Sequence, residues 1–472
     1  MIQKTTFLLL LIFVFGTTTY THAQDTDSTS VDEPDMTDSI MQAPVHPKKT
    51  KHFWRASGEL FLTELIPWSY NYFIRDADFA HISFQSIGHN LKPSSWEFDD
   101  NNFKTNQFAH PYHGNLYFNS FRGSGYNFWE SAPAAFAGSF LWEVAGETHN
   151  PAPNDFINTS LGGIALGEMT YRVSNLIIHN RTHGFNRQMQ EVLATLIDPV
   201  NSFNRIIDGK WGKVEMTDPE DGEWMDLSVD AGLRRIGFKS GDLFTTKGQN
   251  EWCASVNLRY GDPFLNYKKP FDNFSVYLEV GGADSSALNT LRVVGNLWST
   301  MIGGNEKSTH MLRLSMNYDY YHNTTFQYGG QSFLLAWLAH YDFSNKLHFN
   351  TEAGAGAIVL GASPDKYLYY GEGRNYDYGP GIAYTAGCYL NYDNKLFVTA
   401  DYRGGWTFTV NGNSSTYWLQ GFKGEIRYMI YKGLSISGNY GNYQLHGYYK
   451  DYSDTKDKYP YLRVSAGYKV TF

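Results

Sequence analysis

The second half of the chain alternates apolar and polar residues with a period of two. The alternation is clearest in segments 227–234, 252–260, 312–319 and 462–472. One face of each segment is apolar, and the other carries residues such as Ser, Asn, Asp, Arg and Lys. A strand that separates lipid from a polar interior has this pattern, because successive side chains point to opposite faces.

About twelve such segments can be counted, and an even number is expected of a bacterial transmembrane barrel. They begin near residues 225, 251, 273, 288, 309, 332, 346, 380, 395, 416, 434 and 461. Tight turns lie at 342–345, 392–395 and 431–433. Long polar loops lie near 363–379, 410–416 and 444–460. The predicted fold class is α+β: an N-terminal helical domain followed by a closed antiparallel transmembrane β-barrel of about 12 strands.

The first half of the chain lacks this alternation. Residues 1–23 have a basic start, a short apolar run and a small residue before the expected cleavage point, which is typical of a secretory signal peptide. Residues 24–51 are rich in Asp, Ser, Thr and Pro and predict a disordered leader. The helical domain is predicted over 52–222 and the barrel over 223–472. We therefore expect a Gram-negative outer-membrane protein exported by a cleaved signal peptide.

The composition agrees with this prediction. Aromatic residues make up 17% of the chain, which suits a membrane barrel because Tyr and Trp favour the lipid–water interface. The net charge of -9 argues against a nucleic-acid partner. The last strand, which ends on Phe472, resembles the recognition strand read by barrel-assembly machinery. That machinery and outer-membrane lipid are the predicted partners. Cys253 and Cys388 are predicted to face opposite sides of the wall and to stay unpaired.

Polar residues at helical spacing mark a candidate site in the helical domain. The predicted polar cluster contains His110, His113, Glu143, Glu147, His149, Asp155, Asn158, Glu168 and Arg172. Paired carboxylates could perform acid–base chemistry, and the histidines with Glu143 and Glu147 could ligate a metal. A buried network of hydrogen bonds and salt bridges is favoured over both, since polar groups between close-packed helices must be paired. No catalytic residue or cofactor can be assigned. Gly163 and Gly167, four residues apart, predict a close helix contact.

One long run resembles a known family. The run "TNQFAHPYHGNLYFNSFRGSGYNFWESAPAAFAGSFLWEVAGETHNPAPNDFINTSLGGIALGEMTYRVSN", followed by "LIDPVNSFNRIIDG", resembles a Bacteroidota domain-of-unknown-function family, number 3943. The resemblance covers roughly residues 60–210. Its linked motifs include Asn106, His110-Pro111, Glu143, Asn154-Asp155 and Gly167-Glu168. It implies an outer-membrane location and no established activity.

The inward faces of the predicted strands are heavily charged. The predicted lumen residues are Asp230, Arg234, Arg259, Arg292, Arg313, Glu352, Asp401, Arg403, Lys423, Glu425 and Arg427. Mixed charges at this density favour a network that closes the bore over a selective pore.

Three function classes remain open. The first is an envelope protein whose helical domain docks on, or plugs, the periplasmic end of the barrel. The second is a lipid-modifying hydrolase, and the third is a small-solute channel. The barrel histidines form no Ser/His/acid pattern that would support the second class; they are His310, His322, His340, His348 and His446.

Overall fold

The computed structural model describes residues 50–178, 182–214, 225–239, 241–282, 287–371 and 373–471. The predicted signal peptide, nearly all of the predicted leader and the terminal Phe472 lie outside the described residues. The helices end at Ile207 and the first strand begins at Met225. No helix in the described ranges is long and apolar enough to cross a membrane.

The α-helices of the described chain precede all the strands, and one 3₁₀ turn, Asp242–Phe244, follows the first strand. The α-helices are α1 Phe53–Phe73, α2 Phe84–Asn90, α3 His110–Arg122, α4 Phe128–Leu141, α5 Pro153–Ile157, α6 Gly163–Ile178, α7 Gly184–Ile197 and α8 Pro199–Ile207. Local sequence explains several starts. Asn127 and Glu130 form a reciprocal capping box at α4, and the Asp198 side chain caps α8 ahead of Pro199.

Three π-helical turns interrupt or extend these helices. Thr105–Ala109 leads into α3, Trp142–Gly146 continues α4, and Asn158–Gly162 joins α5 to α6. A π turn carries one extra residue and therefore rotates the side chains that follow it. Such turns are rare and occur frequently at functional sites.

The strands form a closed antiparallel barrel in which β1 pairs with both β2 and β12. They are β1 Met225–Ile236, β2 Gln249–Tyr260, β3 Phe274–Gly281, β4 Leu288–Asn305, β5 Ser308–His322, β6 Gln327–Ser344, β7 Leu347–Pro364, β8 Tyr376–Tyr392, β9 Leu396–Phe408, β10 Ser415–Tyr431, β11 Leu434–Tyr449 and β12 Thr455–Thr471. The predicted twelve-stranded barrel is confirmed, and both cysteines are free as predicted.

Two of the long loops are shorter than predicted. The region 444–460 is mostly strand, since β11 reaches Tyr449 and β12 starts at Thr455. Likewise β7 and β8 leave only 365–375 between them. Tyrosine occupies both faces of these strand ends, for example Tyr448 outward and Tyr449 inward. The hydropathy contrast that identified the strands elsewhere is therefore lost there.

The helical domain lies against the outer face of the barrel wall. On β5, Asp319 forms an ion pair with Arg292 inside the lumen, so its neighbours Tyr318 and Tyr320 point outward. The Tyr318 hydroxyl donates a hydrogen bond to the backbone oxygen of Gln107, just before α3. The predicted docking on, or in, the periplasmic end of the barrel is therefore wrong. The outward side chains of these strands are therefore covered by protein rather than by lipid.

Helix α6 forms most of this contact. Its apolar residues Ile164 and Leu166 share one buried cluster with the outward residues Val293 of β4 and Met316 of β5. The predicted close contact at the α6 glycines is confirmed. A Cβ atom on Gly163 would lie 2.6 Å from the Cα of Gly114 in α3, so the two backbones cross where neither has a side chain.

Candidate functional site

The three π turns bring a polar cluster together between the helices and the barrel wall. Asn106 in the first π turn donates from Nδ2 to Oδ1 of Asp99 at 2.7 Å. Asn154 at the start of α5 donates to the same oxygen at 2.6 Å and to Oδ1 of Asp155 at 2.8 Å. Glu143 in the second π turn accepts a hydrogen bond from the backbone nitrogen of Ala152 at 2.7 Å.

His110, the first residue of α3, completes the centre of this cluster. Its Nε2 lies 3.6 Å from Oδ1 of Asp155, which is too long for a hydrogen bond. The side chain of Asn158, in the third π turn, donates to the backbone oxygen of Asn106. We call Asp99, Asn106, His110, Glu143, Glu147, Asn154, Asp155 and Asn158 the acidic cluster.

The outer wall of the barrel closes one side of the acidic cluster. The hydroxyl of Tyr376 accepts a hydrogen bond from Asn106 at 2.8 Å and donates one to the backbone oxygen of Asn101 at 2.9 Å. The hydroxyl of Tyr378 accepts from Asn154 at 3.3 Å. The sequence reasoning missed Asp99 and both tyrosines as site residues. No sequence signal singled out these tyrosines, because outward tyrosines such as Tyr428 also occur on strands that the helices do not cover.

Burial sets the charge state of the cluster. Desolvation and the neighbouring carboxylates, chiefly Glu147 for Glu143 and Asp99 for Asp155, raise the pKa of Glu143 and of Asp155 well above the usual range. The same two causes raise the pKa of Glu147 to about 8. Desolvation lowers the pKa of His110. Burial therefore favours the protonated forms of Glu143, Glu147 and Asp155 and the uncharged form of His110.

Several acceptor atoms in the cluster are buried without a hydrogen-bond partner among the described residues. They are Oδ1 of Asn106, Oδ1 of Asn158 and Nε2 of His110. Protonated carboxyls beside unpaired acceptors can donate and receive protons, so the arrangement suits general acid–base chemistry. Within the described ranges, no three histidine or carboxylate ligand atoms of the cluster come within 4.8 Å of one another.

Two predicted site residues, His113 and His149, lie outside the acidic cluster. His113 is held by the backbone oxygen of Thr63 at 2.9 Å, and burial lowers its pKa to about 4. His149 is exposed, with its ring beside Phe79. Neither contributes a ligand or a proton donor to the acidic cluster.

Glu168 and Arg172 form a separate ion-pair network. The carboxylate of Glu168 contacts Arg172 at 2.7 Å and also Arg122 of α3 at 2.7 Å. Arg172 reaches the barrel through Asp272 in the loop between β2 and β3, at 2.9 Å. This network joins two helices to the barrel. The structural interpretation favoured from sequence therefore describes Glu168 and Arg172, and it also accounts for the hydrogen bonds of the acidic cluster but not for its unpaired acceptors.

The predicted lumen residues lie on the inward face of the strands. They are Asp230, Arg234, Arg259, Arg292, Arg313, Glu352, Asp401, Arg403, Lys423, Glu425 and Arg427. Ion pairs link strands that are not neighbours. Arg427 on β10 contacts Asp230 on β1 at 2.7 Å, and Arg463 on β12 contacts Glu279 on β3 at 2.8 Å.

Side chains from opposite walls also meet inside the barrel. The guanidinium of Arg259 on β2 lies 5.0 Å from the ring centre of Tyr389 on β8, six strands away. The rings of Tyr321 on β5 and Tyr443 on β11, again six strands apart, have centroids 5.9 Å apart. A cavity of about 80 Å³ lies beside Tyr443. Paired side chains therefore cross the bore at two levels.

The model of a domain of unknown function (DUF3943) matches residues 95–200. This segment is a DUF3943 domain. The predicted family resemblance is confirmed over that span. The DUF3943 domain contains the whole acidic cluster, as well as Glu168 and Arg172. No curated protein matches the chain.

Several solved outer-membrane barrels align with about half of this chain. Each of them is covered over nearly its whole length. NanC porin aligns at 11% identity over 51% of this chain and 98% of its own, with a TM-score of 0.30. An outer membrane channel from Pseudomonas putida F1 aligns at 10% identity over 54% and 100%, also at 0.30. The outer membrane channel DcaP of Acinetobacter baumannii aligns at 12% over 54% and 99%, at 0.26. These TM-scores are too low to transfer a function.

Proposed function

We propose that this protein is a non-conducting outer-membrane barrel that anchors its DUF3943 domain at the lipid-facing side of the wall. The supporting observation is the pair of contacts between opposite strands, Arg259 with Tyr389 and Tyr321 with Tyr443. A bore crossed at two levels by paired side chains leaves no continuous path for a solute. The barrel then serves as a membrane anchor, delivered by a cleaved signal peptide at 1–23.

The surface of the helices supports a place beside lipid. Large apolar side chains are exposed on α1, α4 and α8; they are Trp54, Phe61, Ile66, Phe73, Trp129, Phe140, Ile206 and Ile207. The polar residues Asn106, Glu143 and Asp155 are buried behind them. A water-soluble domain has the reverse arrangement, and exposed apolar surface of this extent marks a membrane or protein contact.

Conductance measurements test the anchor. We expect the purified protein in planar lipid bilayers to give no steady ion conductance. The quadruple variant Arg259→Ala/Tyr389→Ala/Tyr321→Ala/Tyr443→Ala should admit a small leak, because it removes both crossings. Tyr428→Ala, which changes an outward residue of β10 instead, is the matched control and should stay closed. A steady open-pore conductance of the unmodified protein would refute the proposal.

A photoactivatable phospholipid tests the position of the helices. Crosslinked peptides should come both from α1, through residues such as Trp54 and Phe61, and from the outward side of β9–β12. Labelling confined to the barrel strands would place the helices away from lipid. It would refute the membrane placement without touching the closed lumen.

A second candidate function is acid–base chemistry on a molecule dissolved in the lipid phase. The observation that favours it is the set of buried carboxyls with raised pKa values, Glu143, Glu147 and Asp155, beside the unpaired Nε2 of His110. The lipid-modifying hydrolase considered from sequence belongs to this class. Phospholipid hydrolysis by the protein in vesicles tests it.

We expect Glu147→Gln, which keeps the shape and neutral state of the protonated carboxyl, to abolish such hydrolysis while the fold is retained. His149→Gln, an exposed neighbour outside the cluster, is the matched control. If hydrolysis is absent from the unmodified protein, or survives in Glu147→Gln, this second function fails and the anchor is unaffected.

A further inference from the structure

Two histidines and an aspartate meet on the inner face of the barrel, at the end with the short turns. His340 and Asp342 are two residues apart on β6 and therefore share a face. On β7, His348 lies opposite Asp342 and Asn350 lies opposite His340. Four polar side chains thus form a block across one strand pair, beside the turn at 345–346.

The ligand atoms of this block converge. The Oδ1 atom of Asp342 lies 3.1 Å from Nε2 of His340 and also contacts Nδ1 of His348. One atom from each of the three residues lies within 4.8 Å of the other two. Ligands bound at about 2.1 Å around a tetrahedral ion lie about 3.4 Å apart, so the His340–Asp342 spacing needs little adjustment and the closer His348–Asp342 contact must open.

Asn350 orients His340 as a metal ligand. Its Oδ1 lies 2.6 Å from Nδ1 of His340 and so accepts the proton of that nitrogen. Nε2, the other ring nitrogen of His340, faces the carboxylate of Asp342 and is the atom that would ligate the ion. Ligating histidines commonly donate their other ring proton to such an oxygen. A backbone hydrogen bond from Asp342 to the oxygen of Lys307 at 2.8 Å fixes the third ligand.

We propose that His340, Asp342 and His348 bind a divalent transition-metal ion, with Zn²⁺ as the reference ligand. Imidazole and carboxylate donors suit Zn²⁺, Co²⁺, Ni²⁺ and Cu²⁺ better than Mg²⁺ or Ca²⁺. The three side chains are between 26% and 39% exposed, so an ion can enter from solvent and keep water in its remaining position. Asn350 is a positioning residue that acts through His340.

Calorimetric titration of the full-length protein, purified without a polyhistidine tag, tests the site. We expect one Zn²⁺ per chain, and at least a tenfold weaker affinity in both His340→Gln and His348→Gln. His310→Gln is the matched control, because His310 lies on the outward face of β5 beside Trp337 and should leave binding unchanged. Asn350→Ala should weaken binding by about tenfold while leaving the stoichiometry intact.

Co²⁺ gives a second readout that is independent of affinity. Its visible absorption should show the intense bands of a tetrahedral site with the unmodified protein and lose them in His340→Gln. Two results would overturn the proposal: no Zn²⁺ binding by the unmodified protein, or unchanged binding in the His340→Gln/His348→Gln double variant. Neither result bears on the closed lumen or on the helical domain.

Discussion

The barrel has two walls that differ in what covers them. On β5 and β8 the outward residues Tyr318 and Tyr376 are fully buried beneath the helices. On β10 and β12 the outward residues Ile426 and Val464 are 59% and 69% exposed. All four positions follow the same period-two pattern. Alternation therefore tells which face of a strand is outside, but not whether lipid or protein covers it.

The chemistry of the outward residues separates the two walls. The covered wall contains hydroxyl groups that hydrogen-bond to helical residues, as Tyr318 does to Gln107 and Tyr376 to Asn106. It also contains Gly329, where a Cβ atom would lie 2.4 Å from the Gln107 side chain. A lipid-covered wall offers no partner for a polar group. Outward tyrosines also occur on the exposed wall, as Tyr428 does, so the mark of the covered wall is a hydroxyl that is hydrogen-bonded to a helical residue.

The largest expected effect is on the covered wall, where the stability of the helical domain should depend on pH. The pKa values of Glu64 and Glu147, on the covered side, are both raised to about 8, mainly by burial. A carboxyl pKa that is raised in the folded state stabilises that state. The stabilisation is complete when the pH is below the pKa of the unfolded chain, about 4.5. That contribution falls as the pH rises and is gone above about 8. The free energy of unfolding of the helical domain should therefore fall between pH 5 and 8, by about 1 kcal/mol per pH unit for each group.

Urea unfolding followed by near-ultraviolet circular dichroism at several pH values measures this slope. Glu64→Gln/Glu147→Gln should flatten it, because the amides stay neutral throughout. The reference is the stability of the barrel in the same protein, measured as its resistance to heating in detergent. A helical domain that is as stable at pH 8 as at pH 5 would contradict the charge states assigned to these two residues.

The second effect removes the carboxylate that pairs with two arginines within the helical domain. Glu168→Ala leaves Arg122 and Arg172 buried without their shared carboxylate, and breaking a buried pair in this way costs about 3–5 kcal/mol. Limited proteolysis should then cut the helices while the barrel stays intact. Lys51→Ala, which removes an exposed ion pair with Glu130, is the control and should cost less than about 1 kcal/mol. Equal sensitivity of the two variants would contradict this account.

The barrel was predictable from sequence because its signal is local and repeated. Each strand alternates faces independently, so segments such as 462–472 can be recognised without knowing their neighbours. The pairing of β1 with β12 then follows from closure. The position of the helices was not predictable in this way. It depends on a few contacts between distant residues, such as Gln107 with Tyr318, that leave no periodic trace.

The acidic cluster was predictable only in part. Glu143 and Asp155 could be named because helical spacing put them among small residues. Asp99 lies outside the regular helices, and Tyr376 lies far away on a strand, so neither had a spacing to reveal it. The π turns also defeat spacing arguments, since they shift the side chains that follow by one position.

The third effect tests the wall with exposed outward residues, at β10 and β12, which we call the bare wall. Val464→Arg should cost about 2–4 kcal/mol in lipid vesicles, because a charge on the lipid face near the bilayer centre loses its hydration. Urea unfolding in vesicles measures it, with Val464→Ala as the control for lost side-chain volume. If Val464→Arg is no more destabilising than Val464→Ala, then lipid does not cover this wall.

The smallest effect sharpens the comparison at the level of a single oxygen atom. Tyr318→Phe removes the hydroxyl that donates to the backbone oxygen of Gln107 and leaves that oxygen buried without its donor, which should cost about 1–2 kcal/mol. Tyr428→Phe makes the same change on the bare wall, where the residue is 50% exposed, and should stay within about 0.5 kcal/mol of the unmodified protein. Urea unfolding of both variants in the same vesicles measures the difference. Equal values would mean that the hydroxyls of the covered wall do not help to hold the helices in place.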